Sequence, residues 1–254
     1  MKSKKIFRFV HILLDYDNTT GLSEAPAFRA CTSLVNEVLN DYGVRLQFTP
    51  AELLAKFVGK SFRQMILDLS AEHSFTVEPG DLEKLVVEEE DRVIAALLAD
   101  LQECEGVGEA INWAEDNLYT LSVVSSSALR RLRACIKKLS QEAIFEDRVY
   151  SASSSLPTPQ SKPNPAIYIH ALKQLRTYAK YCLAVEDSGS GVKAAVAAGI
   201  MVVAYVGAYE AHEREEAAAK LMALGAKTVM HHWSEFPGIV ERLEAEINAA
   251  RKTA

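Results

Sequence analysis

Hydrophobic and polar positions follow three different periods along this chain, and the changes of period divide it. Residues 9–14, Phe-Val-His-Ile-Leu-Leu, form a nearly continuous apolar run that ends in Asp15 and Asp17. Such a run predicts a buried strand of a parallel sheet, and the carboxyl end of such a strand is where ligands bind. After Thr20 the period lengthens to 3.6 and stays there for about 80 residues. Phe28, Cys31, Leu34, Val35, Val38, Leu39 and Tyr42 trace one helical face, with Pro26 near the first turn and Gly43 at the stop. Thr49-Pro50-Ala51-Glu52 has the form of a capping box and predicts a second helix ended by Gly59. Ser61 with Gln64 begins a third, and Asp81 is expected to cap a fourth that runs to Ala99. No strand pattern interrupts this block, so residues 21–102 are expected to form an all-helical insert docked over the end of the sheet.

From Glu105 onward, apolar runs and helical patterns alternate as βα units do. Strands are expected at 119–124, 148–151, 181–185 and 201–206. Helices are expected at 129–139, 166–175, 192–198, 215–224 and 237–249, with a Ser/Pro-rich loop at 152–163. The fold class is therefore α/β: a parallel sheet core with helices on both faces, built from residues 1–20 and 103–254, plus the helical domain of residues 21–102. No internal repeat is visible.

Composition narrows the function classes. At 254 residues and 49% hydrophobic, the chain can bury a large core. A net charge of −6 argues against nucleic acid as a partner, and the basic run Arg130, Arg131, Arg133, Lys137 and Lys138 lacks interleaved aromatics, so it is expected to be a solvated helix surface. The acidic run of residues 88–91 is expected to be another. No stretch approaches the ~20 apolar residues of a membrane span. Lys2, Lys4 and Lys5 before an apolar run imitate a secretion signal, but Arg8 and His11 interrupt the run and no small-residue cleavage site follows. Cys31, Cys104, Cys135 and Cys182 lie far apart within apolar patterns, as buried reduced thiols do. A cytoplasmic enzyme, monomeric or weakly dimeric, is the expectation.

Four polar groups fall at strand ends or in loops that feed helices. Asp15 and Asp17 leave the first strand, where a side chain and a backbone carbonyl can aim at one hard cation such as Mg²⁺. Ser125, followed by Ser126, ends the second strand, where hydroxyls and backbone N–H groups can hold a phosphate oxygen. Lys162, in Ser-Lys-Pro-Asn-Pro, can carry positive charge towards both. Glu186 and Asp187 end the strand Cys-Leu-Ala-Val, and two adjacent acids there are costly without a cation beside them.

In this order the residues resemble the four motifs of the haloacid dehalogenase-like hydrolase superfamily: Asp15-Tyr16-Asp17-Asn18-Thr19, Ser125, Lys162, and Glu186-Asp187 within Val-Glu-Asp-Ser-Gly-Ser-Gly-Val. The match spans the chain, and the helical insert is similar to the C1 cap of the β-phosphoglucomutase-like branch. The resemblance implies a Rossmann-like core and a Mg²⁺-dependent phosphatase of small phosphate monoesters, chiefly sugar or polyol phosphates. In it Asp15 is the nucleophile that forms an aspartyl-phosphate, and Asp17 is the proton donor and then the base. Ser125, Ser126 and Lys162 hold the phosphoryl group. The metal takes Asp15, the Asp17 carbonyl, Asp187 and the nearby Glu186. Ser23 and Glu24 at the hinge and Lys60 and Arg63 in the cap are the candidate substrate contacts.

Departures from the pattern sort the rival activities. Asn18 replaces the family's usual glycine, and Asn tolerates the left-handed backbone that the turn requires. Mutases of this branch carry a cap histidine where Ala27 stands, which favours hydrolysis. A phosphonatase would use a cap lysine, for which Lys60 is a candidate, but that group usually lacks the second aspartate; Asp17 speaks against it and against a dehalogenase. A dinucleotide-binding protein is suggested by Gly189-x-Gly191-x-x-Ala194, yet Glu186 and Asp187 would repel a pyrophosphate. A phospho-receiver domain would be about half as long. A non-catalytic phospho-ligand-binding protein is the remaining alternative. His231 and His232 are expected at the surface, since Mg²⁺ prefers oxygen.

Overall fold

The computed structural model describes residues 6–57 and 60–253. Lys2, Lys4 and Lys5, and the Gly59 expected to end the second helix, lie outside the described residues. The chain separates into two compact units: the described residues up to Leu22 with those from Gln102 onward, and Ser23–Leu101.

In the first unit, β1 (His11–Leu14), β2 (Thr120–Ser125), β3 (Val149–Ser151), β4 (Cys182–Glu186), β5 (Met201–Tyr205) and β6 (Thr228–Met230) form one sheet in the order β3-β2-β1-β4-β5-β6. Every pairing is parallel. β1 has β2 on one side and β4 on the other, so the direction of winding reverses at β1. The crevice beyond the carboxyl ends of strands at such a reversal is the usual ligand site of open α/β sheets.

Alternate strand residues supply the two faces of the core. Leu13, Cys182, Ala184, Val202 and Ala204 pack with Ile167, Tyr168 and Ala171 of α8 (Ala166–Gln174), Val192 and Ala195 of α9 (Gly189–Ala197), and Ala217 and Leu221 of α10 (Arg214–Ala223). The intervening Ile12, Leu14, Leu183, Val185 and Val203 are also fully buried. The remaining helices of this unit are α5 (Val107–Asp116), α6 (Leu129–Lys138), the single turn α7 (Glu142–Phe145) and α11 (Phe236–Thr253).

The second unit is all-helical: α1 (Glu24–Asp41), α2 (Pro50–Lys56), α3 (Phe62–His73) and α4 (Pro79–Asp100). The predicted α1 stripe is buried from Cys31 to Leu39, with Phe28 partly covered and Tyr42 exposed; Leu34, Val35 and Leu39 meet Leu53 of α2, Ile66 and Leu69 of α3, and Leu82 of α4. Thr49 and Glu52 make both bonds of the capping box, and Arg92 of α4 grips the Glu37 carboxylate of α1 with two 2.7 Å bonds.

Several expectations needed correction. Asp81 does not cap α4; Glu78 stands at the N-cap position without a side-chain cap bond, and Pro79 takes the first helical position, where its missing N–H costs nothing. α9 starts at Gly189, three residues early, because the Ser188 hydroxyl accepts from Gly191 N at 3.1 Å and caps the helix. α5 and the three-residue β6 were not expected; β6 is too short to show a period. The four cysteines are free and buried. Among the described residues no helix is long and apolar enough to cross a membrane.

Candidate active site

The sheet register carries the site together before any side chain is considered. Leu14 pairs with Val123 on one side and Val185 on the other, so the next residues, Asp15, Val124 and Glu186, lie level. Asp15 N still donates to Val185 O at 3.0 Å, after which the chain leaves the sheet. The loop then folds on itself: the N–H groups of Thr20 and Gly21 both donate to Tyr16 O, and Asn18 N donates to Gly21 O at 2.8 Å. That turn sets Asn18 at φ +55°, in the left-handed region expected of it.

Lys162 reaches into this crevice from the Ser/Pro-rich loop, its side chain 3% exposed. Its Nζ donates to Asp15 Oδ1 at 2.6 Å, Glu186 Oε1 at 2.6 Å and Val124 O at 2.7 Å. An ammonium has three donors, and all three are used. Its backbone N donates to the Ser126 hydroxyl at 3.3 Å. Asp15, Glu186 and Asp187 are all buried, and each offers a carboxylate oxygen within 4.8 Å of the others. Thr19 Oγ1 donates to Asp187 Oδ1 at 3.2 Å, and the Tyr168 hydroxyl donates to Glu186 Oε1.

Burial of three acids raises their proton affinities. Desolvation pushes the Glu186 carboxyl up to about 7 even with Lys162 beside it. Asp15 and Asp187 rise for the same reason, each further raised by a neighbouring acid. Burial opposes the charge on Lys162, but Asp15 and Glu186 together outweigh it and its pKa goes up. Asp15 and Glu186 thus already share one cation, from the chain itself, while Asp187 accepts from the Thr19 hydroxyl. Glu186 Oε2 stays buried with no hydrogen-bond partner. A carboxylate oxygen from each of three residues, converging where one oxygen of Glu186 has no partner, is the donor chemistry of a hard divalent cation, so the residues fit one.

Asp17 faces another set of groups, and its carboxylate is not part of the acidic cluster. Ser127 Oγ donates to Asp17 Oδ2 at 2.5 Å, Arg131 Nη2 to Oδ1 at 3.0 Å, and Ser125 Oγ lies 3.4 Å from Oδ2. Arg131 is therefore not part of a merely solvated basic face. It stands four residues before Cys135, at the edge of the buried stripe of Leu132, Cys135 and Ile136, and that position was the available signal. Thr19 stands inside the first motif, which assigns it no role, and Tyr168 had no comparable signal. Nor did Trp233, whose buried indole N–H donates to Thr19 O at 3.0 Å from far along the chain.

The candidate substrate residues all belong to the helical unit. Ser23 and Glu24 start α1, and Ser23 is buried. Lys60 pairs with Asp68 at 2.5 Å, and Arg63 Nη2 with Glu83 Oε2 at 2.7 Å, so both cations already have partners within that unit. His232 accepts from Ser234 N and caps the short turn Trp233–Glu235.

A family model described as haloacid dehalogenase-like hydrolase matches residues 12–205. The 6-phosphogluconate phosphatase of Escherichia coli (strain K12) is 26% identical over 195 residues, 77% of this chain and 81% of that protein. A phosphorylated carbohydrates phosphatase of Thermotoga maritima is 32% identical over 120 residues, 47% of this chain and 52% of that protein. Among solved structures, an HAD family hydrolase of Deinococcus radiodurans with bound phosphate and sodium gives a TM-score of 0.67 at 25% identity, covering 89% of this chain and 93% of that one.

Proposed function

The chain belongs to the haloacid dehalogenase-like hydrolases and is a phosphoric monoester hydrolase; from that premise we propose that it is a Mg²⁺-dependent phosphatase of small phosphorylated sugars or polyols, working through an aspartyl-phosphate on Asp15. The observation that carries this reading is the division of labour between the two aspartates. Asp15 lies on Lys162 beside Glu186 and Asp187, whereas Asp17 lies on hydroxyl and guanidinium donors.

In the first half-reaction an Asp15 carboxylate oxygen forms a bond to phosphorus as the bond to the substrate's leaving oxygen breaks. Asp17 supplies that oxygen with a proton, so the alcohol departs neutral. In the second, water adds to the same phosphorus, Asp17 takes its proton back, and the Asp15–phosphorus bond breaks to release inorganic phosphate. Lys162 orients Asp15 and, with the hydroxyls of Ser125 and Ser126, offsets charge spread over the phosphoryl oxygens. A divalent ion held by Asp15, Asp187, the Asp17 carbonyl and the nearby Glu186 would supply further positive charge against those oxygens. The phosphatases of phosphorylated carbohydrates among the relatives, and the bound phosphate in the solved neighbour, support the substrate class. The helical unit, residues 21–102 in this reading, selects the organic part of the substrate through Ser23, Glu24, Lys60 and Arg63, the last two after exchanging their present partners.

Phosphate release from 6-phosphogluconate, sugar and polyol phosphates and p-nitrophenyl phosphate, with Mg²⁺ and with chelator, tests the proposal. Metal-dependent turnover of one group is expected, with Asp15→Asn slower by about 10³-fold or more, as loss of a nucleophile requires. Turnover by Asp15→Asn at the wild-type rate would remove the proposed nucleophile.

A further inference from the structure

We propose that Arg131, acting with Ser127, is a positioning residue for Asp17: it fixes the orientation of the carboxylate that exchanges a proton with the leaving oxygen, rather than binding phosphate. The inference rests on the proton-transfer role given to Asp17 above. Its observation is that two donors address two different oxygens of one carboxylate, Ser127 Oγ on Oδ2 at 2.5 Å and Arg131 Nη2 on Oδ1 at 3.0 Å. The terminal torsion of an aspartate is broad, so a single donor leaves the plane of the carboxylate loosely set. Donors on both oxygens fix the plane, and proton transfer depends on that plane.

The donors come from one rigid segment. Ser127 and Arg131 flank the start of α6, four residues apart, and Ser125 ends the strand just before them. The segment is itself tied down: Ser151 Oγ donates to Ser127 O at 2.7 Å, and Leu129 N donates to Ser154 Oγ at 3.1 Å. The proton-transfer group on the β1 loop is thereby indexed to the strand end that carries the phosphate-binding serines.

Stability does not account for Arg131. Its side chain is 22% exposed and that of Asp17 29%, and part-exposed ion pairs contribute little. Arg131 Nε, meanwhile, is buried with no hydrogen-bond partner, which is a net cost. The other basic side chains of α6 are placed differently: Arg130, Lys137 and Lys138 are exposed, and Arg133 turns to Glu146 O and Asp147. A donor held at such a cost against a carboxylate beside the nucleophile is explained by the orientation it imposes.

The test compares p-nitrophenyl phosphate, whose leaving group departs without a proton, with phenyl phosphate, whose more basic leaving group needs one, in the full-length Mg²⁺-loaded protein. Arg131→Gln should lower kcat/KM on phenyl phosphate roughly tenfold or more, the scale of a misplaced catalytic group. It should change kcat/KM on p-nitrophenyl phosphate little, because kcat/KM reports only the steps up to departure of the leaving group, whereas kcat also contains the second half-reaction, in which Asp17 serves both esters as base. Arg131→Lys, which keeps one charged donor, should restore part of the difference, and Ser127→Ala should show the same split if the arginine variant does not fold. Equal losses on the two esters, or no loss on either, would overturn the inference. Asp17→Asn, run in parallel, should lose on the order of 100-fold in kcat/KM on phenyl phosphate and far less in kcat/KM on the nitro ester. If Asp17→Asn fails to discriminate, the role of Asp17 falls and the inference with it; if it discriminates and the clamp variants do not, Arg131 alone is refuted.

Discussion

At Lys162, three donors meet Asp15, Glu186 and the Val124 carbonyl in a site that water hardly reaches, and the protonation of the acids around it has a consequence for pH. Below the ordinary carboxylate pKa of 4.5 for Glu186, folded and unfolded chains are both protonated there; above about 7 both are ionised. Between the two, the folded protein holds the extra proton, so metal-free stability should fall as pH rises through that window. Asp15 and Asp187 shift in the same direction and add to the trend. Lys162, whose pKa is raised, keeps its charge throughout the window and contributes a constant amount. A divalent cation needs the ionised carboxylates, so its affinity should rise over the same interval, with proton release on binding. Denaturation of chelated protein from pH 5 to 8, and calorimetric metal titrations in buffers of different ionisation enthalpy, check both signs.

Among the elements, the start of α9 shows how tightly the fourth strand end and its helix are joined. A Cβ added at Gly191 would lie 1.6 Å from Glu186 Oε2, whereas one added at Gly80, in the first turn of α4, would meet nothing within 4 Å. Gly191→Ala must displace Glu186 or the helix, and overpacking of this kind costs about 1–3 kcal/mol. Gly80→Ala should instead stabilise by up to about 1 kcal/mol through the unfolded chain. Urea denaturation of the two variants should give opposite signs, and only Gly191→Ala should lose activity. The same joint explains why a glycine-rich stretch of weak helix propensity forms a helix here: the Ser188 cap and the buried Val192, Ala194 and Ala195 outweigh it.

For the molecule as a whole, the acidic cluster draws on β1 and β4, with Lys162 arriving from the loop before α8, all within the sheet-bearing unit. A cation bound there stabilises that unit by mass action, about 2.7 kcal/mol at a hundredfold excess over Kd. Scanning calorimetry should show Tm rising with Mg²⁺, more at pH 8 than at pH 6, and the rise should vanish in Asp187→Asn. A rise that survives Asp187→Asn would place the cation elsewhere. The helical unit carries its own core of α1 to α4 side chains, so cap variants such as Thr49→Ala should leave that metal-dependent rise unchanged.

What the sequence determined by itself is what local spacing encodes. The apolar run into Asp15, the 3.6-residue stripe of α1, the Thr49–Glu52 capping box and the Val-Glu-Asp-Ser-Gly-Ser-Gly-Val stretch each depend on neighbours within a few residues, so periodicity and capping chemistry reach them. Asn18 belongs here too, because its φ of +55° follows from a turn that only a few residue types accept. Strand limits drifted by a residue, and β6 escaped, because three residues carry no period. Only the tertiary structure decided which groups share a charge. Lys162 meets Asp15 across 147 positions and Trp233 meets Thr19 across 214, contacts that the strand order creates and no local pattern records. Arg131 shows the difference most clearly: in sequence it is one of five cations on a helix, and the register of β1 beside β2 brings it to Asp17. A side chain's neighbours along the chain fix its secondary structure; its electrostatic role is fixed by what the sheet sets beside it.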